Sequence, residues 1–282
     1  MAENKLIFNN NFEYIILETI YKSNKNKTAF YKAMEKYTGR IVGIKYIETT
    51  PNLINEYIKG IRVLINLESN VKNIPTVYQY YTQKTSIFVI MQFIEGKTLS
   101  KIMESEKNAC LEKDTTYLNL KRLKKLCEVL KQVHQKNSNN GYTQHKDLKP
   151  DNIIIKGKFP IEDVYLIDFD LSSATIAKGT VGYQAPEQSD MFSKMTNHTR
   201  IDVFSFGLIM YELLCGEKLI FGQHLILDIE NNQWKNIPKI SDINKNITPE
   251  IDQIFKKCIA FNPQERFNDG GEILCQLRKI IK

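Results

Sequence analysis

Apolar and polar residues alternate along much of the first third of the chain, and the apolar positions there are rich in aromatic and β-branched side chains. This period of two, broken by polar turns such as Tyr37-Thr38-Gly39, is typical of antiparallel strands that follow one another along the chain. The pattern predicts five strands, at residues 12–21, 28–35, 40–46, 76–82 and 86–93.

A helical pattern interrupts these strands once and later takes over the chain. Apolar residues recur at three- and four-residue spacing from Asn52 to Glu68, after the helix start signal Thr49-Thr50-Pro51. From Leu99 onward the periodicity is mostly helical, with a long amphipathic candidate from Tyr117 to Lys136. The sequence therefore predicts an α+β protein in which most of the strands precede most of the helices.

Composition and charge narrow the classes of function. The chain has 282 residues, of which 42% are hydrophobic, and this suffices for a sizeable core in one large or two small units. The formal charge of +7 comes from lysines that alternate with acids, a pattern typical of a solvated surface. We therefore expect no nucleic-acid partner and only a mild preference for acidic partners.

The same data bear on cellular location. The N-terminus has no apolar block of the signal-peptide kind, and the most apolar stretch, Val203–Cys215, is short and contains Glu212. The five cysteines are widely spaced without a Cys-x-x-Cys pair, which disfavours zinc ribbons and disulfide frameworks. We expect a soluble, cytoplasmic protein with buried thiols and no membrane span.

One polar stretch carries the candidate chemistry. His145-Lys146-Asp147-Leu148-Lys149-Pro150-Asp151-Asn152 is followed after a short gap by Asp168-Phe169-Asp170. Its acid, lysine and amide at Asp147, Lys149 and Asn152 match a hydroxyl acceptor, a phosphate partner and a metal ligand. Transfer of the terminal phosphoryl group of ATP needs these groups, because its transition state is stabilised by positioning and charge. The proline disfavours a helix, so the octet is predicted to be a rigid loop.

The octet resembles the catalytic loop of eukaryotic-type protein kinases, His-Arg-Asp-Leu-Lys-Pro-x-Asn, and Asp168-Phe169-Asp170 resembles their Asp-Phe-Gly metal motif. Further blocks resemble the family in the same order along the chain. These are Val42-Gly43-Ile44-Lys45, which is similar to Val-Ala-Ile-Lys, then Gly179–Glu187, which fits Gly-Thr-x-x-Tyr-x-Ala-Pro-Glu, then Asp202–Gly207 and Asn262–Arg266. Six ordered blocks disfavour chance, and the chain is identified as a member of this family.

The resemblance implies a bilobal protein kinase fold over residues 1–282, as a single domain. Residues 1–94 correspond to the small lobe of five antiparallel strands and one helix, and residues 95–282 to the large, mainly helical lobe. It also implies that the aspartate Asp202 ties down the catalytic loop and that Arg266 forms a buried ion pair with Glu187.

The roles of the site residues follow from the resemblance position by position. Asp147 accepts the proton of the substrate hydroxyl, and Lys149 neutralises charge on the moving phosphoryl group. Asn152 and Asp168 hold Mg²⁺, and Lys45 anchors the α and β phosphates of ATP. The cofactors are therefore expected to be ATP and Mg²⁺. Thr180 would brace Asp147 and Lys149, a combination that favours serine or threonine over tyrosine as the acceptor.

The expected nucleotide contacts depart from the family at two places, the glycine-rich loop and the glutamate of the helix. Met91 resembles the gatekeeper, and the backbones of Gln92 and Ile94 would bond the adenine edge. The family's glycine-rich loop falls on residues 23–30, where all three glycines are missing. Lys25 and Lys27 could supply charge to the phosphates instead, but an ordinary polar hairpin with solvated lysines fits equally well.

The glutamate that normally pairs with the strand lysine is also displaced. Alignment of the helix places Gly60 at its position, so Glu56, one turn earlier on a similar face, is the nearest replacement. Glu56 fits a surface carboxylate equally well.

Substitutions within the motifs lead to three further expectations. Lys146 replaces an arginine and cannot bind a phosphate bidentately, so activity should depend little on phosphorylation of Ser172, Ser173 or Thr175. Asp170 replaces a glycine, which should restrict the flip of the metal motif. His145 is expected to pack beneath the loop without a role in proton transfer.

Two main functions remain open at this point. The first is a serine/threonine protein kinase that acts on a protein hydroxyl; the alternative is a pseudokinase scaffold that binds nucleotide weakly and acts through protein–protein contacts. The retained Lys45, Asp147, Asn152 and Asp168 favour the enzyme. A small-molecule phosphotransferase of the antibiotic-kinase type is disfavoured, because those enzymes lack the Gly-Thr-x-x-Tyr-x-Ala-Pro-Glu segment. The oligomeric state remains open.

Overall fold

The computed structural model describes residues 5–8, 12–24, 27–137, 141–158, 160–169, 180, 182–188, 200–219, 231 and 237–281. These residues fall into two compact units. The first contains the described residues up to 70 together with 74–95. The second contains 71–73, 96–169 and the described residues from 180 onward.

The first unit is built on a six-stranded antiparallel sheet with the order β1-β2-β3-β4-β6-β5. One helix, α1 (Pro51–Glu68), connects β4 to β5 and buries Ile61, Leu64 and Leu67. The strands are β1 (Lys5–Phe8), β2 (Phe12–Ser23), β3 (Thr28–Glu35), β4 (Ile41–Glu48), β5 (Val77–Gln83) and β6 (Ser86–Gln92).

The sequence predicted five of these strands, and β1 is the one it missed. β1 has only four residues, of which Phe8 alone is buried, so it shows no readable alternation. Tertiary packing holds it in place. The Phe8 ring stacks on Tyr81 with centroids 4.2 Å apart and meets the edge of Phe88 at 4.9 Å. Aromatic contacts of this kind add to the burial of apolar area.

The second unit is mainly helical. It also contains a three-stranded sheet, order β11-β10-β7, and the two-stranded pair β8 with β9. Its strands are β7 (Lys97–Thr98), β8 (Lys136–Asn137), β9 (Gly141–Tyr142), β10 (Ile153–Lys158) and β11 (Ile161–Leu166). Its described helices are α2 (Leu99–Glu106), α3 (Lys113–Val133), α4 (Arg200–Cys215), α5 (Ile240–Ile243), α6 (Pro249–Cys258) and α7 (Gly270–Ile280).

The core of this unit surrounds α4, whose side chains are buried on every face except at Arg200 and Glu212. A helix that is apolar all round must lie inside a protein. Gly207 allows α4 to approach the end of α6, since a Cβ atom there would lie 2.8 Å from Cys258. Helix α3 ends at Val133, three residues before the predicted end at Lys136.

These elements confirm the predicted α+β class. The five cysteines are free thiols; four of them are buried as expected, but Cys275 on α7 is exposed. None of the helices in the described ranges combines the length and the apolar character that a membrane span requires.

Candidate active site

The predicted catalytic octet lies in the second unit, between β9 and β10. It has irregular backbone up to Lys149 and closes with a single 3-10 turn at Pro150–Asn152. The loop brings its three polar groups together. Lys149 Nζ donates to Asp147 Oδ2 at 2.8 Å, and Asn152 Nδ2 donates to the carbonyl oxygen of Asp147 at 2.8 Å.

Thr180 holds the other oxygen of the same carboxylate. Its backbone N–H and its hydroxyl donate to Asp147 Oδ1 at 2.9 and 2.8 Å, and its Oγ1 accepts from Lys149 at 2.7 Å. The carboxylate of Asp147 is thus fixed at both oxygens, while its side chain keeps 25% of its surface exposed. An exposed, oriented carboxylate can accept a proton from an incoming hydroxyl group.

Asp202, in the first turn of α4, anchors the backbone just before Asp147. Its Oδ2 accepts the N–H of His145 at 2.7 Å, and its Oδ1 accepts the N–H of Lys146 at 2.9 Å. Burial raises the pKa of this carboxyl, but the hydrogen bonds that it accepts from His134 and from the backbone of His145 lower it, and the pKa lies below its ordinary value. Asp202 is therefore an ionised carboxylate with its acceptors satisfied at neutral pH.

His134, just after α3, completes this anchor. Its Nε2 lies 2.9 Å from Asp202 Oδ2, and its Nδ1 accepts the N–H of Gly270 at 3.2 Å. Because Nδ1 is the acceptor, the proton is on Nε2 and the ring donates to Asp202. Gly270 is needed for this contact, since a Cβ atom there would lie 2.6 Å from Leu130.

Two non-glycine residues at the site have left-handed backbone, Lys146 with φ of 69° and Asp168 with φ of 61°. Such conformations cost energy and persist only where the surroundings impose them. His145 links the two segments, because its Nε2 lies 2.7 Å from the carbonyl oxygen of Ile167 and its ring lies 4.6 Å from that of Phe169. The buried His145 thus lies beneath the loop, where the resemblance placed it.

The segment that follows Thr180 is fixed by a buried ion pair. Arg266 binds Glu187 through two parallel bonds, Nη1 to Oε1 at 2.7 Å and Nη2 to Oε2 at 2.9 Å. Its remaining donors reach the carbonyl oxygens of Ala260, Phe261 and Arg200. The hydroxyl of Ser205 also donates to the carbonyl oxygen of Tyr183 at 2.7 Å. The resemblance implied the pair of Glu187 with Arg266.

Comparison with known proteins agrees with this geometry. The family model described as the protein kinase domain matches residues 26–276. The chain belongs to the protein kinase family.

Its relatives carry names of the same kind. The chain is 27% identical over 264 residues to a probable serine/threonine-protein kinase of Clostridium perfringens, an alignment that covers 89% of this chain and 36% of that protein. It is 26% identical over 290 residues to serine/threonine-protein kinase C of Synechocystis, covering 92% and 48% of the two chains. It is 24% identical over 244 residues to the Aurora kinase of Schizosaccharomyces pombe, covering 84% and 64%.

The chain therefore spans about a third to a half of the length of these two bacterial relatives. The names of the relatives do not favour the pseudokinase alternative.

The predicted metal ligands, Asn152 and Asp168, are of a kind that fits Mg²⁺. The amide nitrogen of Asn152 is committed to Asp147, which leaves its Oδ1 as the atom that can bind a cation, and Asp168 offers a half-buried carboxylate. Mg²⁺ prefers a few protein oxygens and completes its shell with water and substrate phosphates. The described ranges contain no group of three or more His, Cys, Asp or Glu side chains that could hold a metal ion.

The other predicted nucleotide residues lie in the first unit. Lys45 is in the middle of β4, where it pairs with Phe30 on one side and Val89 on the other. Gln92 ends β6, and its N–H donates to the carbonyl oxygen of Thr76 at 2.8 Å. Ile94 follows with a buried side chain.

Glu56 lies on α1, where its Oε1 accepts from Lys59 at 2.9 Å. Because that pair is partly exposed, its geometry is compatible with both expectations for Glu56, a surface carboxylate and a replacement for the helix glutamate. Lys25, Asp170, Ser172, Ser173 and Thr175 lie outside the described residues, so the expectations placed on them stay predictions.

Sequence reasoning missed two residues of this site, His134 and Gln188. Gln188 donates from Nε2 to the carbonyl oxygen of Lys146 at 2.8 Å. No spacing rule could have pointed to either residue, because each acts through a partner more than forty positions away in sequence. A search for buried polar side chains facing the catalytic loop would have found both.

Proposed function

We propose that this protein kinase transfers the γ-phosphoryl group of ATP to serine or threonine hydroxyls of a protein. One observation supports this most strongly: Thr180 forms hydrogen bonds with both Asp147 and Lys149. These bonds connect the segment that contains Thr180 to the proposed proton acceptor and to the proposed phosphate partner. In a scaffold without turnover, this carboxylate would need no such orientation.

Each predicted site residue of the second unit has a defined task in the proposed reaction. Asp147 orients the acceptor hydroxyl group and takes its proton as the oxygen attacks the γ-phosphorus, whose bond to the β–γ bridging oxygen breaks to release ADP. Lys149, already 2.8 Å from Asp147, donates to the transferred group and stabilises its negative charge. Asn152 and Asp168 hold Mg²⁺, which when bound neutralises charge on the ATP phosphates.

We further propose that ATP is held by residues of the first unit. Lys45 binds the α and β phosphates, the backbones of Gln92 and Ile94 bond the adenine, and Glu56 and Lys25 support the phosphate side. On this proposal residues 1–94 and 95–282 are the two lobes of a single kinase domain. Free thiols are typical of a reducing compartment, so we place the activity in the cytoplasm, without nucleic acid or membrane as partner.

The test is a phosphorylation assay with the purified chain, ATP, Mg²⁺ and a generic basic acceptor protein, read by mass spectrometry. We expect phosphoserine or phosphothreonine on the acceptor. Asp147→Asn keeps the shape of the side chain but removes its basicity, so it should slow transfer by about 10²- to 10⁴-fold.

Asp163→Asn is the matched control, because Asp163 is an exposed carboxylate whose removal should leave the rate unchanged. Thermal stabilisation by ATP without any transfer, in the parent chain and in both variants alike, would contradict the proposal and support the scaffold.

A further inference from the structure

The residue before the proposed proton acceptor is held in a conformation that it would not adopt by itself. Lys146 has φ of 69°, and its N–H donates to Asp202 at 2.9 Å. That bond fixes only the N-terminal side of the residue. The carbonyl group of Lys146 belongs to the peptide that leads into Asp147, so its orientation also sets where the Asp147 side chain begins.

Gln188 holds the carbonyl end of this second peptide, whose N–H, that of Asp147, donates to His145 Nδ1 at 3.3 Å. Its Nε2 donates to the carbonyl oxygen of Lys146 at 2.8 Å, and its Oε1 accepts the N–H of Ala185 at 2.9 Å. The side chain is 5% exposed, so water has little access to replace it. One amide therefore uses its donor on the catalytic loop and its acceptor on the segment that follows Thr180.

The position of Gln188 is itself rigid. It ends the short 3-10 turn Pro186–Gln188, and its N–H donates to the carbonyl oxygen of Ala185 at 2.9 Å. The preceding residue, Glu187, is bound at both carboxylate oxygens by Arg266. A side chain mounted on such a base can hold a strained partner in place.

We propose that Gln188 is a positioning residue for phosphoryl transfer: its side-chain amide locks the Lys146 peptide and thereby sets the orientation of Asp147 relative to Thr180. The inference rests on the proposed function. It concerns a residue that acts through the loop, since Gln188 contacts neither Asp147 nor the reacting groups in the contacts described.

The hydrogen bond that forms this lock runs from an uncharged amide, that of Gln188, to the main-chain carbonyl oxygen of Lys146. It therefore needs neither an arginine at position 146 nor a phosphate on the preceding segment. An apolar side chain of the same size would fill the space but would leave the Lys146 carbonyl without its donor, and an unsatisfied buried carbonyl favours a different peptide orientation.

The test compares the parent chain with Gln188→Met, which keeps the length and volume of the side chain but removes the two side-chain hydrogen bonds described above. We expect kcat to fall by about tenfold, the factor that corresponds to one lost hydrogen bond in the oriented loop. The KM for ATP should stay within about twofold, because the substitution acts on the orientation of Asp147 and not on nucleotide binding. Gln188→Asn keeps the amide but is too short to span both partners, so it should lower kcat in the same way with less risk to folding.

Gln132→Met is the matched control. Gln132 is half-buried and also donates from Nε2 to a backbone carbonyl, that of Glu128 at 3.1 Å, but this bond lies within α3 and does not reach the loop. Its kcat should equal that of the parent.

Amide hydrogen exchange of a peptide covering residues 145–148 supplies a readout that does not depend on activity. Exchange should be faster in Gln188→Met and Gln188→Asn and unchanged in Gln132→Met. A parent chain that transfers no phosphate would refute the proposed function, and exchange would still test the lock. Unchanged exchange and unchanged kcat in the Gln188 variants, or a loss expressed only in the KM for ATP, would overturn the inference.

Discussion

Charged side chains join distant segments in both units, but they do so in different surroundings. In the first unit, Lys27 pairs with Glu48 at 2.7 Å while the two side chains keep 61% and 39% of their surface exposed. In the second unit, Arg266 pairs with Glu187 at the same distance with 0% and 1% exposed. Two ion pairs at the same distance therefore differ in their contribution to stability, because water competes with the first pair and not with the second.

The difference bears on how much stability is lost when a charged side chain is removed in each unit. Just before β3, Lys27 and its partner Glu48 are solvated, so the loss of either side chain should cost little. Around the catalytic loop, Asp202 is fully buried and accepts three hydrogen bonds from protein groups. Loss of any partner there would leave a buried polar group unsatisfied.

The largest expected effect is on the buried pair. Arg266→Met removes the only partner described for both oxygens of Glu187 and leaves that carboxylate buried, so it should lower the free energy of unfolding by about 3–5 kcal/mol. Urea unfolding of the variant measures the change. Arg278→Met is the control, because Arg278 forms an exposed pair with Glu128 and should show little or no loss. Equal losses in the two variants would break the comparison.

A half-buried carboxyl should show an intermediate effect that depends on pH. Burial raises the pKa of Glu212 and nearby Asp151 adds to the rise, while Tyr183 and Lys218 lower it by less. Between the ordinary and the raised pKa the folded chain holds a proton that the unfolded chain has lost, so stability falls as pH rises through that window. A glutamine at position 212 cannot ionise, so the stability of the Glu212→Gln variant should not fall in this pH window.

Melting temperatures at several pH values measure this difference. Glu212→Gln should melt higher than the parent at neutral pH and should approach it below the ordinary pKa of a glutamate. Glu250→Gln is the control: hydrogen bonds from Thr248 and from its own backbone lower the pKa of this exposed carboxyl, so its replacement should bring no such gain. A gain for Glu212→Gln that is the same at every pH would contradict the prediction.

The smallest effect is expected at the exposed pair of the first unit. Lys27→Met removes a partner that water can replace, so the unfolding midpoint should not change measurably at moderate salt. The parallel Lys36→Met variant, which removes the exposed partner of Glu13, should behave in the same way. A loss approaching that of Arg266→Met in either variant would show that the two units do not differ as described.

Much of this could be predicted from the sequence, and particular residues show why. Asp147, Lys149 and Asn152 lie within six positions of one rigid loop, so their proximity was a local property of the chain. The contacts of Thr180, of Asp202 and of Arg266 with Glu187 also agree with expectation, because the family resemblance supplied long-range partners that spacing alone could not. Strand β1 was missed because four residues carry too little pattern to be recognised.

By itself, the sequence determined the types of most elements and the composition of the catalytic loop, since hydrophobic periodicity and residue spacing act over a few residues. Only the tertiary structure decided that His134, which accepts the N–H of Gly270, donates to Asp202. The same holds for the hydrogen bond from Gln188 to the carbonyl oxygen of Lys146. The physical reason is that an imidazole or an amide forms hydrogen bonds with any suitable group that the fold brings within about 3 Å. Its partner is therefore set by the packing of α3, α4 and α7, which no local pattern encodes.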